Sequence, residues 1–97
     1  MDVSNNRTFS LIFEATRNCC QQFEHYIALK DRVNRAHAEY LLQRLRTWAT
    51  YSGALSREGL SLDDRLERHE DIRKSVLGLL EVVFHNLEQG MCPVMST

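Results

Sequence analysis

Proline is almost missing from this chain and glycine is scarce, with one proline and four glycines in 97 residues. A fold of many short strands needs these residues at its turns, so their scarcity favours long uninterrupted helices. An excess of charge of either sign is missing too. Twelve Lys and Arg against thirteen Asp and Glu leave a net charge of -1. That argues against a nucleic-acid binder that works by neutralising phosphates, which needs a clear basic excess. No run approaches the roughly 18–20 apolar residues required to span a bilayer, which argues against membrane insertion. The start, MDVSNNRTFS, lacks the apolar core of a signal peptide. The simplest expectation is an intracellular protein, cytoplasmic or nuclear. Cysteine is sparse: Cys19 and Cys20 are adjacent and Cys92 is remote, a pattern that suggests no disulfide framework.

What is present is the composition of an ordinary globular domain, 43% hydrophobic and 26% charged. Acidic and basic residues alternate, as on solvated helix faces. A chain of this size forms one domain, with a modest core that buries roughly 60–65% of the surface its unfolded form exposes. Apolar residues recur at helical steps in three segments. The first runs through Phe9, Ile12, Phe13, Cys19, Cys20, Phe23, Tyr26 and Ile27, with Thr8 or Ser10 available as a cap. The second, after a weak break near Leu29-Lys30-Asp31, runs through Val33, Ala36, Tyr40, Leu41, Leu45, Trp48 and Ala49. Gly53 can end it by adopting a left-handed backbone. The third begins at Ser61, where Ser-x-x-Asp resembles a capping box and Asp63 and Asp64 meet the positive end of the helix dipole. It continues through Leu62, Leu66, His69, Ile72, Val76, Leu79, Leu80, Val83 and Leu87, and Gly90 and Pro93 stop it.

The expected fold is an all-α, antiparallel three-helix bundle, with helices near 8–29, 32–51 and 62–89. The folded unit spans 8–90, between flexible ends at 1–7 and 91–97. At about 1.5 Å per residue the third helix would reach roughly 40 Å, long for so small a domain, so it either kinks near His69-Glu70-Asp71 or projects to offer surface. Trp48 is expected to be buried against Leu62 and Leu66. Leu77, Val82 and Phe84 widen the third apolar stripe beyond one bundle seam. The bundle is therefore expected to be completed by self-association, with Leu77, Leu80, Val83, Phe84 and Leu87 as the interface.

No pattern of catalytic or ligating residues stands out. Cys19, Cys20, His25, His37, His69, His85 and Cys92 are potential metal ligands, yet none falls in a C-x-x-C or H-x-x-x-H spacing. His69, on the stripe, reads as a core or interface histidine with a satisfied hydrogen bond. The paired cysteines read as small packing residues rather than nucleophiles. Asp63, Asp64, Glu67, Glu70 and Asp71 alternate with Arg65, Arg68 and Arg73, as helix-surface ion pairs do. Arg44, Arg46 and Arg57 read as carbonyl-facing or surface residues rather than as a phosphate site. There is no Gly-rich phosphate loop, and no metal or other cofactor is expected.

Trp48-Ala49, Gly53-Ala54, Ser61-Leu62-Asp63-Asp64-Arg65-Leu66, Ile72-Arg73 and Val76-Leu77-Gly78-Leu79-Leu80 form a recurring order. That order resembles a helical module at the N-termini of many multidomain filamentous-fungal proteins, and Cys19 to Phe23 match it more loosely. The pattern is most specific in the loop. One departure is Asp64, which stands where an aromatic is common. In that family the module precedes zinc fingers, ankyrin repeats or nucleotide-binding regulatory domains. The resemblance implies a non-enzymatic adaptor or oligomerising unit of a regulatory or signalling protein. The alternative is a small stand-alone effector or regulatory protein that acts on a partner protein or a membrane surface. A membrane-surface helix carries lysines beside its apolar face. The third segment has only Lys74 among several acids, which favours the interaction module.

Overall fold

The computed structural model describes residues 11–29, 32–56 and 61–91. The proposed caps Thr8, Ser10 and Asp31, the ends at 1–7 and 92–97, and Arg57, Leu60, Cys92 and Pro93 lie outside them. Four helices follow in order, and the described residues contain no strand: α1 (Ile12–Leu29), α2 (Arg32–Ser52), α3 (Leu62–Arg65) and α4 (Glu70–Glu88).

α1 is the helix on which α2, α3 and α4 all pack. Its inward face is built from small residues, Ala15, Thr16 and Cys19, together with Ile12, Phe23 and Tyr26. Small side chains let a neighbouring helix come close. The approach of α4 is close enough for the Cys19 thiol to donate to the Leu80 carbonyl at 3.0 Å.

The core has two parts. Ile12, Ala15 and Cys19 meet Ala49, Ala54, Leu80 and Phe84. Phe23 and Tyr26 meet Ala38, Leu41, Leu42 and Leu87. The start of α1 thus faces the end of α2, so these two helices run antiparallel. The direction of α4 matches that of α1, because Leu80 packs beside Cys19 and Leu87 beside Tyr26. Leu45 and Val83 join the two parts.

The third expected helix is broken in two. α3 is one turn long; Leu66 to Arg68 form a turn and α4 begins anew at Glu70. The sequence between Leu66 and Ile72 is Glu67-Arg68-His69-Glu70-Asp71, with no apolar side chain to bury. A helix in water draws most of its stability from a packed apolar face, and this stretch has none. His69 is exposed and makes no side-chain cap for α4, which corrects its expected place in the core. α4 itself, at 19 residues, is about 28 Å long.

The loop between α2 and α3 is held by backbone. Gly53 sits at φ 83°, a conformation that costs a residue with a Cβ. From there its amide and that of Ala54 both bond the Ala49 carbonyl, at 3.1 and 3.0 Å, and the Gly53 carbonyl accepts from Leu62 N–H at 3.0 Å. The Arg65 guanidinium also bonds the Ser52 carbonyl at the end of α2. Ser61 is buried and caps α3, its Oγ accepting from Asp64 N–H at 3.1 Å.

Candidate interaction surface

Two expected placements are overturned. Leu80, Phe84 and Leu87, expected at an interface, are buried inside the chain. α1 covers them, and Leu77 and Val83 are partly buried against the same core. The extra apolar residues of α4 are taken up by α1 and α2 rather than left for a second copy.

Trp48, expected against Leu62 and Leu66, is 36% exposed. The inward arc of α2 is Ala38, Leu41, Leu42, Leu45 and Ala49. Ala49 holds the position near Leu62 and Leu66, and Trp48 is turned to the rim, toward the side that carries Tyr40, Arg44 and Tyr51. The Arg44 guanidinium lies 5.8 Å from the centre of the Tyr40 ring and donates to its hydroxyl at 3.3 Å.

The chain break before α4 is what exposes a different face. With Leu66 to His69 out of helical register, Leu62 and Leu66 no longer share a stripe with Ile72 and Leu79. The inward arc of α4 centres on Leu80, Phe84 and Leu87. Ile72 (53% exposed), Leu79 (69%) and Val82 (58%) then fall on the outer side. They recur at steps of seven and three, so they align on one face with Ser75 between them. Reading Ile72 and Leu79 as continuous with Leu66 hid this face. The signal that finds it is the five-residue polar interval before Ile72, which allows the register to reset.

A second contact went unforeseen. The Asp63 carboxylate accepts from Ile12 N–H at 2.8 Å and from Phe13 N–H at 3.0 Å. These are free amides at the start of α1, where a cap residue would ordinarily serve. The residue in the cap position is Leu11, which cannot accept a hydrogen bond through its side chain. Asp63 therefore closes the start of α1 from α3, some fifty residues away.

The chemical groups are dispersed. The Cys19 thiol is pushed up to about 12 by burial, with adjacent Cys20 acting in the same direction and a backbone hydrogen bond from Phe84 opposing. Cys20 is raised as well, chiefly by burial, with nearby Arg46 opposing. Neither is a ready thiolate near neutral pH. Arg46 pairs with Glu24 across α1 and α2. That pair borders an open groove of about 740 Å³ between the two helices, lined also by Ile27, Glu39, Leu42 and Thr50. Among the described residues no three His, Cys, Asp or Glu side chains gather into a metal-holding group, and no helix is long and apolar enough to cross a membrane.

Comparison with protein-family models, curated proteins and solved structures returns no match to this chain.

Proposed function

We propose that this chain is a non-enzymatic protein–protein interaction and oligomerisation module, of the kind that serves a regulatory or signalling protein. The observation that carries the reading is the outer face of α4. Ile72, Leu79 and Val82 leave aliphatic surface in water on a helix that is otherwise well packed. Association that covers such surface recovers roughly 25 cal/mol per Å² of apolar area. The resemblance to N-terminal modules of multidomain fungal proteins supports the same class.

The surroundings of this face favour a protein over a lipid partner. Its charged neighbours on α4 are Glu70, Asp71, Lys74 and Glu81, with Lys74 already 3.8 Å from Glu70. A helix that lies on an anionic membrane carries a basic rim instead. A different protein partner would find a second surface on α2, where Tyr40, Arg44, Trp48 and Tyr51 are exposed. Trp, Tyr and Arg are the residues that most often dominate binding energy at interfaces.

Light scattering across a concentration series tests the proposal. The expected result is a mass that rises with concentration in the wild-type chain and stays monomeric in Leu79→Glu. Because Leu79 is exposed, that variant should retain its helical circular dichroism. A wild-type chain that remains monomeric into the millimolar range would remove self-association as the function of this surface.

A further inference from the structure

Gly78 lies in the middle of α4, where glycine costs backbone entropy relative to alanine. Nothing within this chain requires it: a Cβ added there meets no atom within 4 Å. Its backbone is ordinary helix, unlike Gly53 and Gly90, which sit at positive φ. Gly78 borders the exposed strip of Ile72, Ser75, Leu79 and Val82, so it opens a notch beside an aliphatic ridge. A notch of that kind permits the backbone of a second helix to approach closely.

Resting on the self-association proposed above, we infer that the occupant of this face is the α4 of a second copy, crossing antiparallel with Gly78 against Gly78 at the two-fold axis. Charge decides the direction. The first turn of α4 is acidic, with Glu70 and Asp71, and its last turn carries His85. A parallel pair sets the two acidic turns side by side. An antiparallel pair sets each acidic turn beside the His85 end of its partner, and it also opposes the helix dipoles.

The spacing supports the same register. Asp71, Gly78 and His85 are seven residues apart and line one flank of the strip. When Gly78 meets its own copy at the axis, Asp71 falls opposite His85 of the second copy, twice by symmetry. Ile72 then faces Val82, and Leu79 faces Ser75, so large residues meet smaller ones. The contact is self-complementary, as a closed two-fold pair demands. One face of a 19-residue helix is small for a protein interface, so the pair is expected to be weak and concentration-dependent.

Two variants of the full chain test the register. Gly78→Leu removes the notch while improving helix propensity. Its dimer should dissociate at about tenfold or more higher concentration than wild type, by overpacking of a close contact. Its melting temperature as a dilute monomer should be equal or higher, which separates lost association from lost folding. Gly78→Cys, with Cys92→Ser, should form a 78–78 disulfide on mild oxidation at concentrations where the wild type is dimeric, identified by peptide mass. A second linkage, between Asp71→Cys and His85→Cys mixed as separate chains, should also form. A concentration-dependent dimer that tolerates Gly78→Leu and yields no 78–78 linkage would overturn this register while leaving self-association intact. A chain that is monomeric throughout would overturn both and give the face to another protein or a lipid surface.

Discussion

Replacing Asp63 by alanine removes both acceptors at the start of α1 without creating a cavity in the core. Asp63 is only partly buried, and what it supplies is two hydrogen bonds, at 2.8 and 3.0 Å, to the amides of Ile12 and Phe13. A hydrogen bond to a charged group contributes about 1.5–3 kcal/mol when well shielded, and a helix cap contributes about 0.5–2 kcal/mol. Partial exposure moves the pair toward the lower range, while the helix dipole adds about 0.3–1 kcal/mol. The expected cost of Asp63→Ala is about 2 kcal/mol. For a domain of this size that lowers the melting temperature by roughly 8–16 °C. Asp63→Asn keeps one carbonyl acceptor and should lose about half as much. A local cap should compensate: Leu11→Ser places a hydroxyl at the cap position and should restore about 1 kcal/mol in the Asp63→Ala background. The same change should add little to the wild type, where those amides are already bonded. Urea unfolding of the four chains of this double-mutant cycle measures the coupling. An Asp63→Ala chain within about 0.5 kcal/mol of wild type, or a Leu11→Ser effect that is equal in both backgrounds, would refute the cross-chain cap.

The remaining expectations follow from burial and bonding. Phe84→Ala should cost about 3–5 kcal/mol, since Phe84 fills the core between α1 and α4, whereas Trp48→Ala at the rim should cost about 1 kcal/mol or less; thermal melts that rank the two in the opposite order would contradict their placement. Thr16 is fully buried and its Oγ1 has no hydrogen-bond partner among the described residues. Thr16→Val replaces that hydroxyl with a methyl of similar size and should stabilise the fold by about 1 kcal/mol, read from the urea midpoint. The Cys19 thiol, raised from 9.0 to about 12 in the folded chain, is protonated there while the unfolded chain ionises. Its contribution to stability is therefore complete below pH 9 and is lost progressively as pH climbs from 9 toward 12. Chemical unfolding across that window should show a decline that is shallower in Cys19→Ala.

Much of this molecule could be read from spacing alone. Helix type, and the stops at Gly53 and Gly90, depend on local geometry: which residues recur every three or four positions, and where a left-handed backbone is needed. Ser61 as the start of a helix is local in the same way, because its Oγ reaches an amide only three residues on. Periodicity also identified Ile12, Cys19, Phe23 and Tyr26 as one face of α1, since that helix runs unbroken.

Tertiary structure alone decided the rest. A stripe at helical spacing does not reveal whether the chain keeps one helical phase through Glu67-Arg68-His69. Once it does not, Leu80, Phe84 and Leu87 turn to α1, and Ile72, Leu79 and Val82 turn outward. Trp48 fails by a smaller margin. It is one residue from Ala49, and a single position on a helix is a rotation of about 100°, enough to carry a side chain from core to rim. Asp63 shows the converse. Its acidity at a helix start is visible in the sequence, but the amides it bonds belong to α1 rather than α3. Only the packing of α3 at the start of α1 brings carboxylate and amides together, because that proximity is set by chain topology and not by any local spacing.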